Sequence, residues 1–346
     1  MLRSKLAEWR RIGLVALLTA AFMWGLLYAP TPFVVFEPGL AVPVAPMMQA
    51  EESDAASEGV FLLTAVKMVE PNMLKVIASV LDADRDILAK RAVLGGYSEK
   101  EYAERLTIVM EGSQNNAVEA AYRYLDLPYD AITSAIVVSD IKKGEQGNMA
   151  VLKPGDRLLG MQGGRSFSST DDMVTQLQQL ESSQIITLDI ERDGQKRKLE
   201  VYFAKPKELL TVVSLPASIG AAGLTELRSL KPSDSGNRLR VSAGAIGGPS
   251  AGLIFALQAI DLLTEGDLTG GHRIAATGTI TPDGKIGPIG GIKQKVVITS
   301  EKGAELFLVP AGNYDEAVFK AKSLGTKMQI VKVETLSDAI DQIKSY

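Results

Sequence analysis

The sequence predicts an α/β (α+β) C-terminal domain behind a β-rich domain and one N-terminal transmembrane helix. Three observations carry this. After residue 205, strand-like and helical runs alternate at the spacing of an α/β layer. Between residues 132 and 204, short strands are broken by glycine turns. Ile12 to Ala29 is apolar apart from Thr19, and at about 1.5 Å per residue it spans roughly 27 Å, close to a hydrocarbon core.

Composition narrows the function. The 346 residues are 46% apolar and 23% charged, ordinary for a globular protein. A net charge of −4 argues against nucleic acid as a partner. With no cysteine there is no disulfide, thiol nucleophile or cysteine metal site, and one histidine, His272, cannot build a multi-histidine centre. Neither metal nor cofactor is expected.

Arg3, Lys5, Arg10 and Arg11 precede the apolar run, and no Lys or Arg follows before Lys67. This bias predicts a cytoplasmic N-terminus and an extracytoplasmic remainder in the cell membrane. Tyr28-Ala29-Pro30-Thr31-Pro32 is a poor cleavage site and the run is long for a signal peptide, so residues 1–30 read as an anchor. Residues 31–58 read as a linker, Pro-rich to Pro46 and then small and acidic from Gln49. Residues 59–131 read as scaffold, with a strand at 60–66 and helices at 72–81 and 98–125. Ser98 followed by Glu101 fits a capping box.

In residues 132–204, strands are expected at 135–138, 151–159, 185–190 and 197–203. A helix is expected at 170–180, and Arg192-Asp193-Gly194-Gln195 reads as a hairpin turn. The order strand, Leu152-Lys153-Pro154-Gly155-Asp156, strand, turn, helix, strand, hairpin, strand resembles a PDZ domain. That resemblance implies a module that takes an extended peptide as an added strand; no ligand residues follow from it.

In residues 205–346, strands are expected at 209–215, 238–243, 275–280, 285–289, 306–309 and 329–333. Helices are expected at 251–263, from Lys293 to about 302, at 314–323 and at 336–344. Two stretches carry chemistry. Gly247-Gly248-Pro249-Ser250-Ala251-Gly252 reads as a tight turn delivering the Ser250 hydroxyl to a helix N-terminus. There the free N–H groups around Gly248 to Ala251 can hold an oxyanion. A serine nucleophile needs a base. Gly290-Gly291-Ile292-Lys293-Gln294-Lys295 offers Lys293, just ahead of the apolar Val296-Val297-Ile298.

Together these motifs, in this order and spacing, resemble the proteolytic domain of the Lon family over residues 205–346. The resemblance implies that Ser250 attacks a peptide carbonyl while Lys293, neutral through burial, takes the proton and later returns it. It also implies that Thr277 orients the amine, that Gly248 and Ala251 donate backbone N–H groups, and that the domains form hexameric rings. Two departures stand out. Ile246-Gly247 replaces the Lys-Asp pair of many Lon enzymes, and no Gly-x-x-x-x-Gly-Lys-Ser/Thr occurs, since Gly278 to Lys285 has the wrong spacing. Anchor, PDZ-like and Lon-like segments together resemble the bacterial membrane-anchored PDZ–Lon-like proteases of the YlbL type. This implies an ATP-independent serine endopeptidase acting on exported or membrane-proximal proteins and peptides.

Two other classes fit parts of the chain. Gly248-Pro249-Ser250-Ala251-Gly252 also matches the Gly-x-Ser-x-Gly elbow of α/β-hydrolase esterases, with Asp261 or Asp267 and then His272 following. The short interval to His272 leaves little room for the strands such a fold needs. A catalytically silent, membrane-tethered peptide-binding scaffold is the non-enzymatic alternative.

Overall fold

Alternation of apolar residues along the strands decides how the layers assemble. The structure, a computed structural model, describes residues 2–51, 58–141, 152–244 and 246–346. The chain begins with α1 (Leu2–Tyr28), β1 (Phe33–Pro43), β2 (Met48–Ala50), β3 (Val60–Val69), α2 (Met73–Val80), β4 (Asp86–Ala89), α3 (Lys90–Leu94) and α4 (Glu99–Tyr124). A β-rich stretch follows: β5 (Tyr129–Asp140), β6 (Arg157–Met161), α5 (Thr170–Gln178), β7 (Gln184–Arg192), β8 (Gln195–Phe203), α6 (Leu215–Ser218) and β9 (Gly223–Pro232). Then come β10 (Leu239–Val241), α7 (Gly252–Leu263), β11 (Arg273–Ala276), β12 (Thr279–Ile280), β13 (Ile286–Gly287) and α8 (Ile292–Glu301). The last elements are β14 (Leu306–Pro310), α9 (Tyr314–Leu324), β15 (Gln329–Val333) and α10 (Leu336–Lys344).

The main sheet has the order β15-β14-β11-β3-β1-β4. Its β15, β14, β11 and β3 run parallel, and β1 is antiparallel to both β3 and β4. Period-two alternation splits the buried residues between two faces. Phe61, Leu63, Ile274, Ala276, Leu306 and Leu308 pack with α4, α7 and α10. Leu62, Ala275, Phe307 and Val309 pack with α8 and α9 on the other face. The C-terminal domain is therefore a three-layer α/β unit.

The second sheet, β8-β7-β6-β5-β9, is antiparallel and encloses its own core with α5 and α6. Its hairpin turns at Asp193 and Gly194, both with positive φ, the backbone of a type I′ turn. The Ser98–Glu101 capping box is present at the start of α4. In α1, Trp9–Tyr28 has a mean hydropathy of 1.6 and is long and apolar enough to cross a membrane.

Several expected boundaries change. Residues 31–58 are not simply a linker: Phe33–Pro43 is an interior strand of the main sheet, with Val34 and Val35 fully buried. Pro38 is tolerated because β4 pairs only with Phe33–Phe36, so its missing N–H faces no strand on that side. β2 pairs with β10; residues 52–57 lie outside the described residues. The α/β domain accordingly draws on β1, β3, β4 and α4 as well as the chain from β10 onward, and residues 59–131 are no separate scaffold. The β-rich sheet runs past residue 204, because β9 pairs with β5 along its whole length. Within it, Val151 of the expected 151–159 strand lies outside the described residues. The expected strand at 209–215 is instead a Thr211–Ser214 turn leading to α6. The expected strand at 275–280 breaks at Thr277 and Gly278, and that break makes the site.

Candidate active site

β3 and β11 pair in parallel only as far as Leu63 opposite Ala276. β3 then continues along β1 to Val69, while the other chain turns away at Thr277. The two helical layers meet in the gap this opens at the carboxyl ends of parallel strands, where α/β sheets commonly place their sites. Ser250 enters from one layer, in a 3-10 turn (Pro249–Ala251) that runs directly into α7. Lys295 enters from the other, on α8.

Lys295 Nζ lies 2.9 Å from Ser250 Oγ, 3.1 Å from Thr277 Oγ1 and 2.8 Å from the Thr64 carbonyl oxygen. The residue is 2% exposed. Burial disfavours the ammonium form and brings the lysine down from 10.5 to about 7. The Thr277 hydroxyl donates to the Ser250 carbonyl at 3.1 Å, and the Gly278 N–H donates to the same oxygen at 2.9 Å. Ser113 Oγ, from α4, donates to the Pro249 carbonyl at 2.9 Å. The serine turn is thus pinned by three bonds, two from the Thr277–Gly278 segment and one from α4.

Its glycines have separate reasons. Gly248 has φ +91°, a region that glycine enters without strain. At Gly252, a Cβ would stand 2.8 Å from Ile280 Cγ2 and 2.9 Å from Ser113 Oγ, so only glycine lets α7 approach.

Lys293 is not brought to Ser250. Its ammonium lies 3.6 Å from Asp86 and 3.8 Å from Glu316, on a side chain 41% exposed. Helical phase explains the correction: Ile292, Lys295, Val296 and Thr299 fall at i, i+3, i+4 and i+7 on the buried face, and Lys293 falls off it. That signal was present in the sequence, since Lys295 sits at the spacing of the apolar stripe. The expectation that Gly248 supplies an oxyanion donor also changes, because its N–H already donates to the Leu106 carbonyl at 2.9 Å. The N–H groups of Ser250 and Ala251 begin the helical turn, where no preceding turn provides acceptors.

The histidine constellation is not assembled. His272 Nδ1 pairs with Glu305 at 2.9 Å, at the opposite end of β11 from Thr277. Asp261 accepts from the Leu268 N–H, and Asp267 from the Gly59 N–H.

Ser250 sits between two recesses. A cavity of about 720 Å³ is lined by apolar Phe36, Leu40, Leu88, Leu106 and Ile246, with Ser250 and Lys295 at its wall. A smaller one, of about 350 Å³, lies between Ser250, Thr279, Pro288 and Ile289. The larger cavity is also bounded by β3 from Thr64 to Met68. There β3 has β1 as its one strand partner among the described residues.

Comparison with known proteins bears on this geometry. Residues 233–344 match the Lon protease (S16) C-terminal proteolytic domain. The matched part contains Ser250, Thr277 and Lys295. The chain is 27% identical to the Lon protease of Campylobacter concisus (strain 13826) over 221 residues, 60% of this chain and 27% of that protein. It is 34% identical over 107 residues to the Lon protease of Roseiflexus castenholzii, covering 30% of this chain and 13% of that protein. With Lon protease 2 of Thermus thermophilus it shares 36% identity over 105 residues, again 30% and 13%. The chain spans little more than a quarter of the first of these relatives and less of the others. The Campylobacter match is longer than residues 233–344 and so reaches upstream of them.

Proposed function

We propose that the chain is a serine endopeptidase in which Ser250 is the nucleophile and Lys295 the general base. The observation that carries this is the set of partners around the amine. A neutral lysine has two N–H donors and one lone pair. The Thr64 carbonyl and Thr277 Oγ1 accept the two N–H bonds. The Thr277 hydrogen is already donated to the Ser250 carbonyl, so its oxygen faces the amine as an acceptor. The remaining lone pair is directed at the Ser250 hydroxyl, 2.9 Å away.

In the first step Ser250 Oγ bonds to the substrate carbonyl carbon as its proton passes to Lys295 Nζ. The carbonyl oxygen becomes negative against the N–H groups of Ser250 and Ala251 at the head of α7. Lys295 then hands the proton to the departing amine, and the acyl-serine is released by water using the same base. A pKa near 7 suits a base that must both accept and return a proton. The substrate lies as an added strand along the open edge of Ala65 to Val69, with side chains in the two recesses beside Ser250. This deeper geometry favours the protease over the esterase reading, since His272 is engaged elsewhere.

The reading extends to an ATP-independent enzyme, for want of a phosphate-binding loop in the sequence. It is anchored by α1 with its domains outside the cytoplasm, as the charge bias around α1 supports. The five-stranded sheet is read as PDZ-like, and the Lon resemblance supports assembly into a ring, hexameric in that family. Labelling with a serine-reactive phosphonate tests the enzyme against a silent scaffold. Wild-type protein is expected to be labelled and Ser250→Ala not; an unlabelled wild type, or equal labelling of a folded Ser250→Ala, contradicts the proposal.

A further inference from the structure

Helix α2 is built inside out. Its covered side carries Lys75, Val76 and Ser79, with Lys75 held 2.9 Å from Glu37. Its outward side is Met73, Leu74, Ile77 and Val80, continued by Leu81, all exposed, the last at 88%. A helix at a water interface normally shows the reverse pattern. Five contiguous large apolar side chains with no charge among them form a patch of the kind that marks a protein or membrane contact.

The location says which. The helix packs beside the end of α1. From Trp9 to Ala29, the most covered residues of α1 and its exit are Gly25, Leu26 and Ala29, each partly buried. The Thr31 hydroxyl donates to the Pro71 carbonyl at 2.8 Å, and the Lys90 N–H donates to the Pro32 carbonyl at 2.8 Å. These bonds fix both ends of the segment carrying α2 to the chain as it leaves α1. With Gly25 one turn inside the apolar span, α2 sits roughly 5 Å below the end of α1 at a rise of ~1.5 Å per residue. That is the depth at which amphipathic helices lie in the headgroup–acyl boundary.

We infer that α2 is an interfacial helix that lies in the bilayer surface beside α1, embedding Met73, Leu74, Ile77, Val80 and Leu81 in lipid. The inference rests on α1 spanning the membrane. It gives the anchor a second point of attachment, so the catalytic domain holds a fixed face toward the membrane instead of swinging on a tether. β4 follows α2 directly, and its Leu88 lines the large cavity beside Ser250. Docking α2 therefore sets that cavity close to the lipid surface, where segments emerging from the membrane reach it first.

The absence of cysteine from the chain makes the test clean. Full-length protein with Ile77→Cys, Leu17→Cys or Val213→Cys is labelled with an environment-sensitive fluorophore. Each is placed, one copy per disc, in phosphatidylcholine–phosphatidylglycerol nanodiscs. Nitroxide lipids labelled near the headgroup or deep in the acyl chain then act as quenchers. The Ile77 probe is expected to shift to the blue and lose fluorescence to the shallow nitroxide. Leu17 should lose it to the deep nitroxide, and Val213, 91% exposed in the turn before α6 of the β-rich domain, to neither. Quenching at Leu17 but not at Ile77 overturns this inference alone. A blue-shifted but unquenched Ile77 probe also overturns it, and assigns the face to a protein surface. Loss of quenching at Leu17 overturns the membrane reading of α1 and this inference with it. None of these readouts depends on catalysis, so they stand apart from the protease proposal.

Discussion

The two sheets each bury an ionisable group, and they treat it in opposite ways. In the β-rich sheet Asp156 is fully buried, and Arg192 Nε and one terminal nitrogen each meet it at 2.6 Å. The Lys153 N–H adds a third bond at 2.8 Å. In the α/β domain Lys295 is buried against a carbonyl and two hydroxyls, and among the described residues no carboxylate partners it. The first arrangement pairs the carboxyl with a guanidinium and so locks a turn to a hairpin. The second strips the charge from the amine near neutral pH, and leaves a base. Burial with a counter-charge builds structure; burial without one creates reactivity, at a cost to stability.

The largest effect expected on the structural side of this comparison is at Arg192. Arg192→Ala leaves the Asp156 carboxylate buried and uncompensated, a change that costs about 3–5 kcal/mol in such pairs. Denaturant unfolding followed from the β-rich domain should show a loss of that size. A change below about 0.5 kcal/mol, the scale of ordinary surface substitutions, would erase the contrast drawn here.

The opposite sign is expected at Lys295. Its folded value, about 7, lies below the 10.5 of an ordinary lysine. Between those two values the unfolded chain binds more protons than the folded one, so stability rises with pH across the window. Below it both states are protonated and the full cost of burying the ammonium remains; above it the cost vanishes. At about 1.4 kcal/mol per pH unit, this amounts to several kcal/mol. Lys295→Met should therefore raise Tm at pH 6 and change it little at pH 10. A Tm gain that is the same at both values would mean that the buried amine is not titrating.

A smaller effect sharpens the assignment of Thr277. Thr277→Val keeps the volume but removes the acceptor facing Lys295 and the donor to the Ser250 carbonyl. Hydrogen bonds to charged groups are worth about 1.5–3 kcal/mol, so peptide hydrolysis should fall roughly 10- to 100-fold. The fall should appear in kcat with KM little changed, because Thr277 is buried and does not line either recess. A change confined to KM would give Thr277 a different role.

The same contrast explains what could be read in advance. The serine turn was legible because its chemistry lies in consecutive residues, Gly248 to Gly252. The α7, α8, α9 and α10 helices and the β14 and β15 strands were legible from periodicity. The lysine that reaches Ser250 is harder to read, because Lys293 is nearer the glycine pair, although the spacing of Ile292, Val296 and Thr299 points to Lys295. Two features have no local signature at all. The Thr64 carbonyl is a backbone atom brought to Lys295 from far upstream by the β3–β11 pairing. β1 was hidden because Pro38 and Gly39 look like linker residues, and only the short reach of β4 makes room for them.

The central claim is that Lys295, and not Lys293, is the base for Ser250. Arginine keeps the positive charge but does not deprotonate in a protein, so it can fill the position without accepting the serine proton. The direct measurement is kcat/KM for hydrolysis of an unstructured peptide by folded Lys295→Arg and Lys293→Arg proteins, compared with Ser250→Ala. Lys295→Arg is expected to lose at least about a thousandfold, close to the loss in Ser250→Ala, since residues acting as one unit fail together. Lys293→Arg, still placed between Asp86 and Glu316 at the surface, should stay within about twofold of wild type. Near-normal turnover by Lys295→Arg, or collapse of activity in Lys293→Arg, would contradict the account.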